Sequence, residues 1–269
     1  MLRFNRWLIK VFRGNKPPWG KDIFSEVLKS VEYNTLISTK NYHKIYGLII
    51  STYELMVDAG KAMNYRMHPN DMFPAFLFLR VQSSFIASIR MILGGQSVEA
   101  HPIMRLMIEQ AWYGLYIKLD PTPPNRRKIW TNRNDSDADK KKCKKEFTIA
   151  NVRRAHGVVD PEASEELWNL YEHTIDYGAH PNQYSVFSNL NQDSTSEKLK
   201  YDVGMIAFDL PVTMMSIRTT LAIAVGFLKI IEKAFKDGYE KNVSQDKVDE
   251  VINGLDTFFL QWAESDSQT

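Results

Sequence analysis

The sequence predicts an all-α protein, a single-domain bundle of about seven to nine helices, and three observations carry that expectation. Apolar residues recur at three- and four-residue spacing over long stretches of the chain. Alternating runs of β-branched residues, the mark of half-buried strands, are nearly absent. Glycine, proline and asparagine cluster where the helical spacing breaks.

In chain order, the spacing predicts helices over Asp22–Ile37, Lys40–Tyr65, Asp71–Leu93, Pro102–Leu119, Ser136–Arg154, Pro161–Gly178, Glu197–Lys236 and Gln245–Glu264. Gly94-Gly95 closes the third, and Pro102 suits the first turn of the next. Asp120-Pro121-Thr122-Pro123-Pro124 is a rigid loop that cannot continue a helix. Asp160-Pro161 opens a helix whose start carries Glu162, Glu165 and Glu166, favourable against the helix dipole. Pro181–Ser196 reads as a polar loop, and Pro211 as a kink in the long helix that follows. Asp71–Leu93 and Pro102–Leu119 are expected to form the central apolar pair.

With 44% apolar and 25% charged residues among 269, the chain has ordinary globular composition and can bury a core. Its one cysteine, Cys143, leaves no intramolecular disulfide and no cysteine-rich zinc site, which fits a reducing, cytoplasmic location. Met1–Gly14 lacks the continuous apolar core and small-residue cleavage site of a secretory signal. The most apolar stretches, Met72–Leu93 and Met205–Ile231, are interrupted by Arg80, Gln82 and Arg90 and by Asp209, Pro211 and Arg218. Charges at bilayer mid-depth cost about 3 kcal/mol each, so both read as core helices and no transmembrane segment is expected.

Net charge is only +2, yet charge is segregated along the chain. Residues 1–20 read as a basic amphipathic segment ahead of a bundle domain over 21–269. In a helix, Phe4, Trp7, Leu8, Val11 and Phe12 share one face, while Arg3, Arg6, Lys10 and Arg13 line the other. Residues 3–13 therefore suit either docking on protein, their own bundle or a second subunit, or peripheral contact with a membrane. A second basic block, Arg126–Arg154, holds eleven basic against four acidic residues, whereas the chain from Lys236 onward holds three against eight. Arg126, Arg127, Lys128, Lys141, Lys142, Lys144 and Lys145 are the candidate nucleic-acid contacts; a solvated helix face, or pairing with the acidic tail, is the competing reading. Cys143 lies among five lysines, which favour a thiolate, but an exposed incidental cysteine accounts for it as well.

Common catalytic signatures are missing. There is no Gly-x-Gly-x-x-Gly, no phosphate loop ending Gly-Lys-Ser/Thr, no His-Glu-x-x-His, no Gly-x-Ser-x-Gly and no Glu-x-x-His pair. No metal and no cofactor are expected. A polar constellation is left. Arg105 and Glu109 are an (i, i+4) pair on a nearly all-apolar helix, continued by Trp112 and Tyr116. A buried charge must be paired, so the pair either specifies packing or lines a polar cavity. His173, Asp176, Tyr177 and His180 share one helical face and suit acid–base chemistry, although His180 precedes a proline and equally marks a boundary. Arg80, Arg90 and Arg218 lie in apolar surroundings and are expected as buried ion-pair partners, Arg80 or Arg218 with Glu109 or Asp176; an anion or phosphate pocket is the sharper alternative.

Arg105-x-x-x-Glu109, followed by Trp112-Tyr113-Gly-Leu-Tyr116 and later by Tyr177-x-x-His180-Pro181, resembles bacterial all-helical families of unknown function. The likeness covers about residues 75–235 and is distantly HEPN-like. It implies a helical bundle and, in its catalytic members, RNA cleavage through Arg-x(4–6)-His, a motif this sequence lacks. Two functional expectations follow. The first is a cytoplasmic helical protein acting through protein partners or self-association. The alternative is a nucleic-acid or nucleotide-processing enzyme with Arg105, Glu109, His173, Tyr177 and His180 around one polar pocket.

Overall fold

The computed structural model describes residues 20–65, 67–179, 190–193, 200–203, 206 and 210–266. Among these are eleven α-helices: α1 (Ile23–Asn41), α2 (His43–Asn64), α3 (Met72–Leu93), α4 (Ser97–Lys118), α5 (Asn125–Thr131), α6 (Asp137–Glu146), α7 (Ile149–Val159), α8 (Pro161–Thr174), α9 (Leu210–Ala234), α10 (Lys236–Asn242) and α11 (Gln245–Asp266). A π-turn, Ile175–Ala179, extends α8. The described residues are otherwise helical apart from one short antiparallel pair, β1 (Leu190–Asp193) with β2 (Lys200–Val203), in which Leu190 pairs with Val203 and Asp193 with Lys200.

Helix α4 is the centre of the fold. Met104, Met107, Ile108, Trp112 and Leu115 are fully buried on it, which requires neighbours on several sides. Helix α3 packs closest. At Gly114 an added Cβ would stand 2.4 Å from Cε1 of Phe78, so only glycine lets the two backbones approach this far. Ser84 and Ser88 on α3 face α4, and the Ser84 hydroxyl donates to Gln110 Oε1 at 3.1 Å. Helix α9 is the second spine, with Ile217, Leu221, Ala224, Phe227 and Ile231 buried. One continuous apolar cluster runs from Ile45 on α2 through α3, α4 and α9 to Phe259 on α11. Met72–Leu93 and Pro211–Ala234 are long and apolar enough to cross a membrane, but the most apolar windows are 44% and 72% buried inside the protein.

Local chemistry starts and stops the helices where side chains satisfy the free backbone groups. Asp22, Ser136, Thr148 and Asp160 cap α1, α6, α7 and α8 by accepting from the amides of Ser25, Asp139, Asn151 and Ala163. Pro161 takes the first turn of α8, as expected, and α3 ends at Leu93 with Gly95 at φ 89° behind it.

Five sequence expectations are corrected. Pro181–Ser196, expected as a polar loop, contains β1, whose backbone pairs with β2. The helix count exceeds seven to nine because α5 and α10 are single short segments of seven residues, too brief to show a period. Ser136–Arg154 is two helices, since Phe147 ends α6 and Thr148 caps α7. The helix expected from Glu197 begins at Leu210 and β2 precedes it, so Pro211 sits in the first turn, where its missing N–H costs nothing, and makes no kink. Helix α4 begins at Ser97, which puts Pro102 inside it. That proline cannot donate to the Val98 carbonyl one turn back.

Candidate functional site

The sequence-selected residues divide into two clusters along one stripe of α4. In the first, Arg105 Nε lies 2.9 Å from Glu109 Oε1, and both side chains are little more than a quarter exposed. The Tyr171 hydroxyl, from α8, donates to the same oxygen at 3.2 Å, and the Arg105 guanidinium carbon lies 5.1 Å from the Tyr171 ring centroid. Burial, then the Glu109 charge, push the Tyr171 phenol up, so it stays protonated and donates. The carboxylate is thus held by a cation and a phenol. Of the two readings open for this pair, the contacts favour packing.

The second cluster lies nearer the start of α4. His173 and Tyr177 rings are 4.2 Å apart, and His101 lies 6.0 Å from the first and 6.1 Å from the second. His101 Nδ1–H donates to the Ser97 carbonyl at 3.0 Å, and burial pushes its pKa down to about 4. Burial lowers His173 as well, partly offset by Asp176. Gly178 makes this junction possible: a Cβ there would meet the Val98 carbonyl oxygen at 2.5 Å, the carbonyl that Pro102 leaves without its amide. Tyr171 and His173 stand two residues apart and so point to different sides of α8. Tyr171 therefore serves Arg105 and Glu109, while His173 serves His101 and Tyr177. His180 lies outside the described residues, as does the basic segment 3–13.

His156 belongs to none of the sequence motifs. It is fully buried on α7, its Nδ1 accepts from Trp112 Nε1 at 3.0 Å, and its Nε2 has no partner among the described residues. Burial pushes its pKa down to about 4. Trp168 stacks on Tyr171 at 5.4 Å, and the Arg153 guanidinium sits 4.2 Å above Trp168. The sequence signal for His156 is its place on the apolar face of α7, one turn from Val152.

The basic block is two things. Arg126 is structural: it donates to the Tyr116 and Leu119 carbonyls, covers the Tyr116 ring at 3.7 Å and lies 3.7 Å from Glu146. Arg153 pairs with Glu165, and Arg127 is half-buried beside the Pro123-Pro124 turn. By contrast Lys128, Lys141, Lys142, Lys144 and Lys145 are exposed and make no ion pair among the described residues. Cys143 is buried, not exposed, because it occupies the side of α6 opposite those lysines, and burial pushes its thiol up. The lysines therefore do not activate it.

Arg80, Arg90 and Arg218 are exposed, contrary to expectation. The reason is helical phase: Phe78, Phe85 and Ile92 turn inward on α3, and Arg80 and Arg90, each two residues off that stripe, point outward. Glu109 pairs with Arg105 on its own helix instead. Among the described residues no three His, Cys, Asp or Glu side chains converge as metal ligands.

Two grooves lie away from the Arg105–Glu109 pair. One, of about 790 Å³, runs between α2 and α3 and is lined by Tyr46, Ile50, Tyr53, Val57, Phe85 and Ile86. The other, of about 650 Å³, lies between α8, α9 and α11, with His173 and Arg218 among its walls. No family model, curated protein or solved structure matches this chain.

Proposed function

We propose that this chain acts by self-association, as a helical interaction protein whose docking surface is the face shared by α2 and α3. The observation that carries this reading is a pair of exposed apolar rows, Tyr46, Ile50, Tyr53 and Val57 on α2 and Phe76, Leu79 and Ile86 on α3. Ile50, Phe76 and Ile86 are 43%, 53% and 49% exposed. Burying a large apolar side chain is worth about 1.5–3 kcal/mol, so a contiguous row left in water marks a surface awaiting a partner. Charge supports a second copy as that partner. The groove carries Glu54 and Asp58 together with Lys61, Arg90 and Lys247. A patch meeting itself across a two-fold axis needs both signs, whereas a membrane surface selects basic residues. Residues 21–269 are read as one domain, which the continuous core supports.

The test is aspartate at Ile50 and Ile86 together. The expected result is loss of the dimer with an unchanged helical circular-dichroism spectrum, while V158D, at an exposed apolar residue of α7, leaves the dimer intact. A dimer that persists in the I50D/I86D chain removes this face as the interface.

A second reading, nucleic-acid contact, is favoured by the exposed lysine face of α6, which makes no ion pair among the described residues. The enzyme reading has less support: Arg105 and Glu109 satisfy each other and Tyr171, away from His173.

A further inference from the structure

The groove between α8, α9 and α11 has a volume of about 650 Å³ and an apolar floor to which Leu170, Val225 and Phe259 contribute. Small-molecule pockets run from about 300 to 1,000 Å³ and are mostly apolar, with a few polar groups that orient the ligand. Two cations stand on these walls and differ in state. Lys229 Nζ lies 2.8 Å from Glu166 Oε2, an internal pair. Arg218 holds its guanidinium carbon 5.6 Å from the Phe259 ring centroid, exposed, with no carboxylate in ion-pairing distance among the described residues. A guanidinium offers two parallel N–H donors that match a planar carboxylate. A doubly charged phosphate would call for more than one free cation, and Asp256 on the same wall opposes it.

We propose that this groove binds a medium-chain aliphatic carboxylate, its head paired with Arg218 and its chain laid over the Leu170–Val225–Phe259 floor. The site is separate from the α2/α3 face and does not depend on self-association. Titration calorimetry of the full chain with decanoate and with 1-decanol tests it. Decanoate is expected to bind about tenfold or more tighter than the alcohol. R218Q brings decanoate down to the level of the alcohol, D256N tightens it, and A222W, which fills the floor from a half-buried position, abolishes both. Equal affinity for the two ligands, decanoate binding unchanged in R218Q, or binding that survives A222W overturns the assignment.

Discussion

Trp112 donates from its indole Nε1 to Nδ1 of His156 across 3.0 Å, and both side chains are fully buried. The bond ties α4 to α7 and fixes the imidazole tautomer: Nδ1 accepts, so a neutral ring carries its proton on Nε2. Trp112→Phe strands that acceptor and removes indole volume. The expected loss is about 2–4 kcal/mol of unfolding free energy by urea titration. A loss below about 0.5 kcal/mol would mean that the bond adds nothing to the core.

Acid sensitivity follows from two buried histidines. Burial holds His101 and His156 near 4 in the folded chain, against an ordinary value of 6.5. Between those values the unfolded chain binds more protons, so stability is full above about pH 6.5 and falls as pH drops toward 4. Each histidine contributes up to about 3 kcal/mol to that fall. Thermal midpoints measured from pH 7.5 to 4.5 should decline, and H156N, which keeps an acceptor for Trp112, should flatten the slope. Equal slopes in both chains would place the titrating groups elsewhere.

Glu109 is a milder case. Its pair with Arg105 is about one-quarter exposed, so water screens it. E109Q should cost no more than about 1 kcal/mol, and Y171F about the same. A loss above about 3 kcal/mol in E109Q would show a charge pair that behaves as buried and essential.

The sequence signals and the structure agree where a local rule dominates. Asp160-Pro161 and Gly94-Gly95 act on their own backbone, and both boundaries stand as expected. Helical phase was less legible. Arg80 and Arg90 have apolar neighbours in sequence, but which side of α3 meets α4 depends on Gly114 and Phe78, residues far apart along the chain. Pairing across helices was least legible: Trp112 with His156 and Tyr171 with Glu109 are 44 and 62 residues apart. Arg105–Glu109 was visible because an (i, i+4) spacing is itself a contact. The pairing of Tyr171 and His173 with separate clusters followed only from the angle between them on α8.

For the α6 lysines, K141A/K142A/K144A/K145A should leave the thermal midpoint unchanged, because all four side chains are exposed. In gel shift with single-stranded RNA, the unmodified chain should bind with an affinity that falls steeply with salt, and the variant should lose most of that binding and of its salt slope. Salt-independent binding, or equal binding by the two chains, would contradict a phosphate contact there.

The α2/α3 face carries the central claim, and sedimentation equilibrium of the unmodified chain tests it most directly. The chain mass is 31.2 kDa. At micromolar concentration a species of twice that mass is expected; a single-chain mass that does not rise with concentration would contradict self-association.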